Sequence, residues 1–321
     1  MRCAAKHGPA HSPPVSYLGE TCALATAVCW TISSTAFAVA SRAVGPLPAN
    51  QFRLFVALPV LFVLTWLVTG SFWPHGASSG QLGWLVLSGL AGLVVGDLGY
   101  FYALAKIGPR LCSVVMACWP ACAVAIEAGA GRVPGAWSLG GIALTMAGVT
   151  VVLLRSRDGA HWNPTTSRRQ AMLGLLGAAL GAVGQAAGFV FAGHAMVGED
   201  AIVGVDPLSA TLVRMVAAVV GLQTWAVLHR QPIAVQVVFG DGQALRAATI
   251  GAVCGPIGGV WLSMIARANA SDAGVAAALM ATTPIFMLPL AAWLYQAPIG
   301  RLGAAGTVLA VAGVALCWLA R

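Results

Sequence analysis

The sequence predicts an all-α integral membrane protein with ten transmembrane helices, arranged as two inverted five-helix repeats. Three observations predict this class: a composition too apolar for water, ten apolar segments of spanning length, and residues that recur at nearly one offset. Of the 321 residues, 59% are hydrophobic and only 8% are charged. A soluble domain carries about a quarter charged residues to cover its surface, so a lipid bilayer is the solvent that fits this chain.

Each span is predicted from a run of roughly 20 mostly apolar residues, the length that crosses a hydrocarbon layer of about 30 Å. Strands are excluded because the runs are long, do not alternate apolar with polar residues, and would leave unpaired amides in lipid. Short breaks rich in Gly, Pro and charged residues separate the runs. The ten predicted spans are residues 22–41, 51–70, 81–104, 111–130, 136–154, 171–195, 207–228, 244–266, 273–294 and 302–320.

The chain is predicted to divide into four parts. Its first apolar run starts too late and is too long for a cleaved signal peptide, so we interpret that run as a retained helix. The longest polar break, "RSRDGAHWNPTTSRRQ", separates five predicted spans from five. The predicted parts are a polar N-terminal tail, 1–19, a first repeat, 20–155, a polar linker, 156–170, and a second repeat, 171–321.

Three sets of residues recur in the same order in the two halves, which predicts an internal duplication. Because each half has an odd number of spans, the second must enter the membrane from the opposite side. Inverted repeats of this kind form a midplane cavity that can open to either side. The recurring residues are Arg53 and Arg214, 161 positions apart, Pro120 and Pro284, 164 apart, and the pairs Gly141–Gly148 and Gly306–Gly313, 165 apart.

The segment "GDLGYFYALAKIGPRLCSVVMACWP", followed by "SLGGIALTMAGVTVVL", resembles the EamA-type repeat of the drug/metabolite transporter (DMT) superfamily. The second half, "ARANASDAGVAAALMATTPIFMLPLAAWL" and then "GAAGTVLAVAGV", resembles the same repeat again. The resemblance implies a multi-pass secondary transporter of amino acids or other small metabolites in the cell membrane, which is the inner membrane in a Gram-negative source. Relatives usually carry a glutamate at the start of the fourth-to-fifth loop, where this chain has "GAGRVP" and "LYQAPIG".

The orientation in the membrane is left open by the sequence. With the N-terminus inside, and leaving out Arg214 because it lies deeper in its span, five Lys and Arg residues would fall on the inner side and eleven on the outer side. Because basic residues accumulate on the cytoplasmic side of short loops, this bias favours both termini outside. The resemblance implies the opposite, with both termini in the cytoplasm.

Asp97 is the acidic residue that most needs an explanation, because it lies in the apolar run "VVGDLGYFYALAKIGP". An ionisable side chain in hydrocarbon costs about 2.5–3.5 kcal/mol, so it normally faces protein or water. Asp97 and Tyr100 are three residues apart and share a helix face. We interpret Asp97 as a substrate-binding or coupling group, or as the structural partner of an arginine such as Arg53. Glu127 is the second coupling candidate, with an interfacial carboxylate as the alternative.

The other candidate substrate-binding residues lie away from the ends of the predicted spans, where side chains could line a central cavity. Core packing is the alternative for the tryptophans and prolines, and bonding to a neighbouring helix is the alternative for the polar residues. Arg53 and Arg214 lie within about two turns of the starts of their predicted spans, and we interpret each as extending to the headgroups or as forming an internal salt bridge. These candidates are Trp30, Trp119, Pro120, Gln185, Trp261, Thr283 and Pro284.

The predicted function is secondary transport of a small metabolite, an amino acid or a related compound, by alternating access, with export and proton coupling as expectations. An integral-membrane enzyme acting on a lipid-like substrate and a channel are the alternatives. The six scattered histidines disfavour the enzyme, and no ring of like charges favours a channel. No cofactor, metal site or nucleic-acid surface is predicted. The expected partners are the lipid bilayer and a small-molecule solute, and a homodimer is left open.

Overall fold

The computed structural model describes residues 17–154, 167–196, 204–231, 235–270, 273–283, 285–287, 290 and 301–319, and every regular element within them is helical. The first half contains α1 (Leu18–Val44), α2 (Pro46–Thr69), α3 (Ser79–Ser88), a π-helical segment (Gly89–Gly96), α4 (Asp97–Met116), α5 (Trp119–Gly129) and α6 (Ala136–Leu154). The second half contains α7 (Arg168–Met196), α8 (Pro207–Leu228), α9 (Gln236–Phe239), α10 (Gly242–Ala252), a π-helical segment (Val253–Gly259), α11 (Val260–Asn269), α12 (Ala273–Met280) and α13 (Arg301–Leu319).

Six helices in the described part of the chain are long and apolar enough to cross a membrane. They match predicted spans one to three and six to eight, which are the first three of each repeat. Helices α5, α6, α12 and α13 lie within the remaining predicted spans or overlap them. The all-helical class therefore holds for the described residues, and the count of ten crossings stays a prediction. The six spans are Leu18–Val44, Pro46–Thr69, Ser79–Pro109, Arg168–Met196, Pro207–Leu228 and Gly242–Asn269.

Local sequence explains where several of these helices begin. Ser78 and Gln81 form a capping box at the start of α3, each side chain accepting a hydrogen bond from the backbone N–H of the other. The side chain of Asp206 caps α8 by accepting hydrogen bonds from the backbone N–H groups of Leu208 and Ser209, and Pro207 follows at the first helical position. Such caps satisfy amides that have no partner inside the helix.

A π-helical segment interrupts the third span of each half. The segments begin at Gly89 and Val253, 164 positions apart, which is the offset at which Pro120 and Pro284 recur. Pro256 lies within the second segment, where its missing N–H and its ring disfavour a regular α-helical turn. A π-helical turn in an otherwise regular helix is frequent at functional sites. The matched positions add a structural feature to the sequence evidence for duplication.

The helices of one half pack directly against those of the other. Helix α4 lies along α7, α1 contacts α10 and α11, α2 contacts α8, and α6 contacts α13. The α4–α7 contact depends on glycine, because a methyl group added at Gly99 would lie 2.5 Å from the carbonyl oxygen of Gly177. Small residues let helix backbones approach closely where no water drives association. This close contact brings both halves to the edge of one shared cavity.

The fourth span begins in α4 and is broken before α5. Helix α4 passes through Gly108, whose φ of 77° lies in the left-handed region that favours glycine. The chain then turns at Ala117 and Cys118, and α5 begins at Trp119 with Pro120 in its first turn. A proline there loses no helical hydrogen bond, because the first amides of a helix have no internal partner. The break leaves the side chain of Trp119 at a helix start rather than in mid-helix.

Replacing Gly99 by alanine is expected to destabilise the protein, because the new methyl group would force α4 and α7 apart. We expect a loss of about 1–3 kcal/mol, the usual cost of overpacking, seen as a lower melting temperature of the purified protein. Gly83→Ala is the matched control, since nothing lies within 4 Å of the added methyl group. Equal melting temperatures for the two variants would show that the α4–α7 contact is not tightly packed.

Candidate functional site

A cavity opens where the helices of the two halves meet. Its empty space is about 840 Å³, measured together with the solvent at its mouth. Side chains from α1, α2, α4, α5 and α7 contribute to its lining, together with residues near the second π-helical segment and the end of α12. Six of the candidate residues lie in this lining: Trp30, Asp97, Tyr100, Trp119, Gln185 and Thr283.

An ion pair between Arg53 and Asp97 forms the charged part of the cavity wall. A terminal guanidinium nitrogen of Arg53 donates to Oδ2 of Asp97, and the two side chains are only 6% and 15% exposed. Arg53 also donates through Nε to Oδ1 of Asn50 at 2.7 Å and lies over the ring of Phe101, 5.1 Å from its centroid. Arg53 therefore does not snorkel to the headgroups, because its charge is neutralised inside the protein.

Aromatic rings form much of the remaining wall. Trp30 and Trp119 meet edge to face with ring centroids 6.3 Å apart, and Trp119 meets Phe189 in the same way at 5.4 Å. Phe37 packs against Phe101 at 5.0 Å, and both rings line the cavity. Such contacts hold large rings in fixed orientations. A rigid apolar wall of this kind suits a solute with a flat or apolar part.

Hydroxyl groups in the lining mostly satisfy backbone carbonyls. Ser33 donates to the carbonyl of Gly251 at 2.9 Å, and Ser113 donates to that of Pro109 at 2.7 Å. Thr31 donates to the carbonyl of Thr283 at 3.0 Å and so joins α1 to the residues that follow α12. Ser33, Ser34, Phe37, Ser113 and Met116 line the cavity, although the sequence analysis did not select them. The polar stretch "TISSTAF" in an apolar helix was the available signal for the serines.

Three candidate residues lie elsewhere. Within the described residues, neither Pro120 nor Trp261 lines the cavity, and Pro284 lies outside those residues. Trp261 packs against a cluster that contains Leu54 and Leu212. Pro120 is buried beside Trp119 in the first turn of α5.

Glu127 forms a buried ion pair across the two halves instead of facing the cavity. Its Oε1 accepts a hydrogen bond from Arg267 at 3.0 Å, and the side chains are 8% and 9% exposed. Arg132, which is 51% exposed, lies 3.8 Å from the other carboxylate oxygen. Glu127 follows the lining residue Trp119 by eight positions and Arg267 follows the lining residue Val260 by seven, which is about 10–12 Å of helix. The pair therefore joins α5 to α11 at a position about 10–12 Å along these helices from the residues that line the cavity.

Arg214, the counterpart of Arg53 in the second half, is buried rather than extended to the membrane surface. It is 1% exposed, and its Nη1 donates to the sulfur of Met264 at 2.9 Å. Within the described part of the chain, no group of three His, Cys, Asp or Glu side chains could hold a metal ion. Among the described residues that line the cavity, the charged side chains are those of Arg53 and Asp97.

Comparisons with known proteins agree with this architecture. The family model described as "EamA-like transporter family" matches residues 17–154 and 172–319, one match in each half. None of the curated proteins matches the chain at a significant level. One solved structure, described as "Crystal structure of protein", is similar over 92% of this chain and 97% of its own, with a TM-score of 0.65 and 20% identity. At that identity the likeness concerns the fold alone.

Replacing Arg267 by glutamine is expected to destabilise the protein strongly, because it leaves the buried carboxylate of Glu127 with only an exposed partner. Breaking a buried ion pair costs about 3–5 kcal/mol, which thermal unfolding of the purified protein would measure. Arg132→Gln is the matched control and should cost about 0–1 kcal/mol, because ion pairs with an exposed partner contribute little. Similar small losses in both variants would contradict a structural role for the buried pair.

Proposed function

Because the chain belongs to the EamA-like transporter family, within the DMT superfamily, we propose that it is a secondary transporter of a small metabolite. The proposed solute is an amino acid or a related compound, which the protein exports across the cytoplasmic membrane by alternating access, with protons as the coupling ion. The observation that carries this proposal is the cavity between the two halves, whose wall contains the Arg53–Asp97 ion pair.

The cavity supports a carrier because helices of both halves enclose it. A shared cavity between repeated units can change the side to which it opens when one unit moves against the other. The Glu127–Arg267 pair joins α5 of the first half to α11 of the second, about 10–12 Å along these helices from the residues that line the cavity. In the proposed cycle this pair separates when the cavity opens at that end and forms again when the cavity closes.

The wall of the cavity supports a solute with an apolar part and a polar end. Trp30, Phe37, Phe101 and Trp119 would contact the apolar part. Most pockets for small molecules likewise combine apolar walls with a few placed polar groups. Gln185, Thr283 and Tyr100 would supply hydrogen bonds to the polar end.

Asp97 is the proposed coupling group because it is the acidic residue among the described lining residues. Protonation of Asp97 would remove its attraction for Arg53 and free both side chains to contact the solute. Deprotonation would restore the ion pair. The proposed cycle thus links a proton to the geometry of the cavity through one carboxylate.

The transport proposal is tested by counterflow. The purified protein in liposomes, loaded with a panel of amino acids and related metabolites, is expected to exchange external radiolabelled solute saturably. Exchange identifies a carrier, because the binding site must return loaded. Saturable passage without exchange would contradict the carrier and favour a channel, and no movement of any panel member would contradict the proposed solute class.

Asp97→Asn tests the coupling role. We expect uptake driven by a pH gradient to fall by about tenfold or more and to lose its pH dependence, because an amide does not exchange protons. Counterflow without a gradient should persist. Asp241→Asn is the matched control, since Asp241 caps α10 and asparagine caps a helix equally well. An unchanged pH profile in a well-folded Asp97→Asn variant would exclude Asp97 as the coupling group.

A further inference from the structure

Two buried arginines occupy equivalent positions in the two halves, but the described part of the chain supplies an acid to only one of them. Arg53 pairs with Asp97, which directly follows the first π-helical segment. The residue 164 positions beyond Asp97 is Trp261, next to the second π-helical segment. The second half therefore has an indole where the first half has a carboxylate.

Arg214 is consequently a buried cation without an ion pair among the described residues. Its Nη1 donates to the sulfur of Met264, a weak and uncharged acceptor. Its Nε is buried and has no hydrogen-bond partner. Asp97 interacts with Arg214 electrostatically, but that carboxylate is held by Arg53. A buried charge without a partner is unfavourable, so a compensating anion would bind well near it.

The guanidinium of Arg214 lies behind the cavity wall and not in it, because Arg214 is only 1% exposed while neighbouring residues form the lining. A methyl group added at Gly92 would lie 3.5 Å from its Nη2, so Gly92 offers no side chain to cover that nitrogen. Leu93, the next residue, lines the cavity. On the opposite side, Met264 follows the lining residue Val260 by four positions, about one turn of α11.

The charges nearest the cavity do not cancel. Arg53, Asp97 and Arg214 together carry one excess positive charge. Further along the helices lie the buried Glu127–Arg267 pair and the buried Glu20, whose neighbour Gly19 meets the end of α11. Because the interior of a membrane protein screens charge weakly, the excess acts on any solute in the cavity.

We infer that Arg214 is a specificity-determining residue that selects solutes bearing an anionic group, such as a carboxylate on an apolar or aromatic body. The inference rests on the proposed transport function and names its substrate class. The apolar body lies between the tryptophans, and the acid group lies on the side of the cavity nearest Arg214, whose charge attracts it through the wall. A solute with only an amine is disfavoured, because Arg53 already neutralises the aspartate that would bind it.

The inference is tested with three probes that share one ring and differ in charge: phenylacetate, phenylacetamide and phenethylamine. Binding to the purified full-length protein is followed by tryptophan fluorescence, because Trp30 and Trp119 lie in the cavity wall. We expect phenylacetate to bind about tenfold more tightly than phenylacetamide, since hydrogen bonds to charged groups are stronger than neutral ones. Equal affinities, a preference for the amine, or no binding of the acid would overturn the inference.

Variants assign the preference to Arg214. Arg214→Gln should bind the acid no more tightly than the amide, whereas Arg214→Lys should keep part of the preference. Arg246→Gln, at an exposed position on α10, is the matched control and should bind as the wild type does. An Arg214→Gln variant that folds and keeps the full preference would overturn the assignment. Should that variant not fold, the wild-type probe series and Arg214→Lys still decide.

Two further arms separate the remaining explanations. Titration in chloride and in gluconate tests for a small inorganic anion, and chloride that displaces phenylacetate completely would overturn the assignment to a solute acid. Binding can be measured without transport. If the protein prefers the acid but shows no counterflow, the transport proposal is contradicted and the selection of anionic solutes is supported. Counterflow of cationic solutes without a preference for the acid would contradict the charge selection alone.

Discussion

The Arg53–Asp97 ion pair is the interaction on which the interior of this protein depends. A charged side chain in a membrane span has an unfavourable free energy when it lacks a partner. An acid and a base in different spans reduce this cost only if the helices bring the two side chains into contact. Helices α2 and α4 satisfy that condition beside the cavity. Both residues of the pair lie in the wall of the cavity rather than in the core.

The second constraint is the close approach of the two halves. Where Gly99 meets Gly177, the backbones of α4 and α7 touch with no side chain between them. Buried polar contacts can then form between helices far apart in sequence, such as the hydrogen bond from Ser88 to the carbonyl of Gly188. Packing and electrostatics therefore act together: the small residues set the distance, and the charged residues set which helices face one another.

The sequence predicts the fold well because its evidence is local. Apolar runs of spanning length mark the helices, and the recurrence of Arg53 with Arg214, together with the matched prolines and glycines, indicates the duplication. It predicts the site less well because depth in a span does not give the direction of a side chain. Trp30 and Trp261 are both remote from span ends, yet only Trp30 lines the cavity. The partner of Glu127 is 140 positions away, and no local pattern connects that residue to Arg267.

The π-helical segments have a geometric consequence for every residue beyond them. Each wide turn accommodates one more residue than an α-helical turn, so the helix that follows is rotated by about 100° from an uninterrupted one. Within α4, the regular spacing of an α-helix places Asp97 and Tyr100 on one face. The same spacing does not predict which residues of α3 share a face with residues of α4, because the π-helical segment lies between the two helices. An angular offset built into the backbone thus decides which stripe of the third span of each half is turned inward.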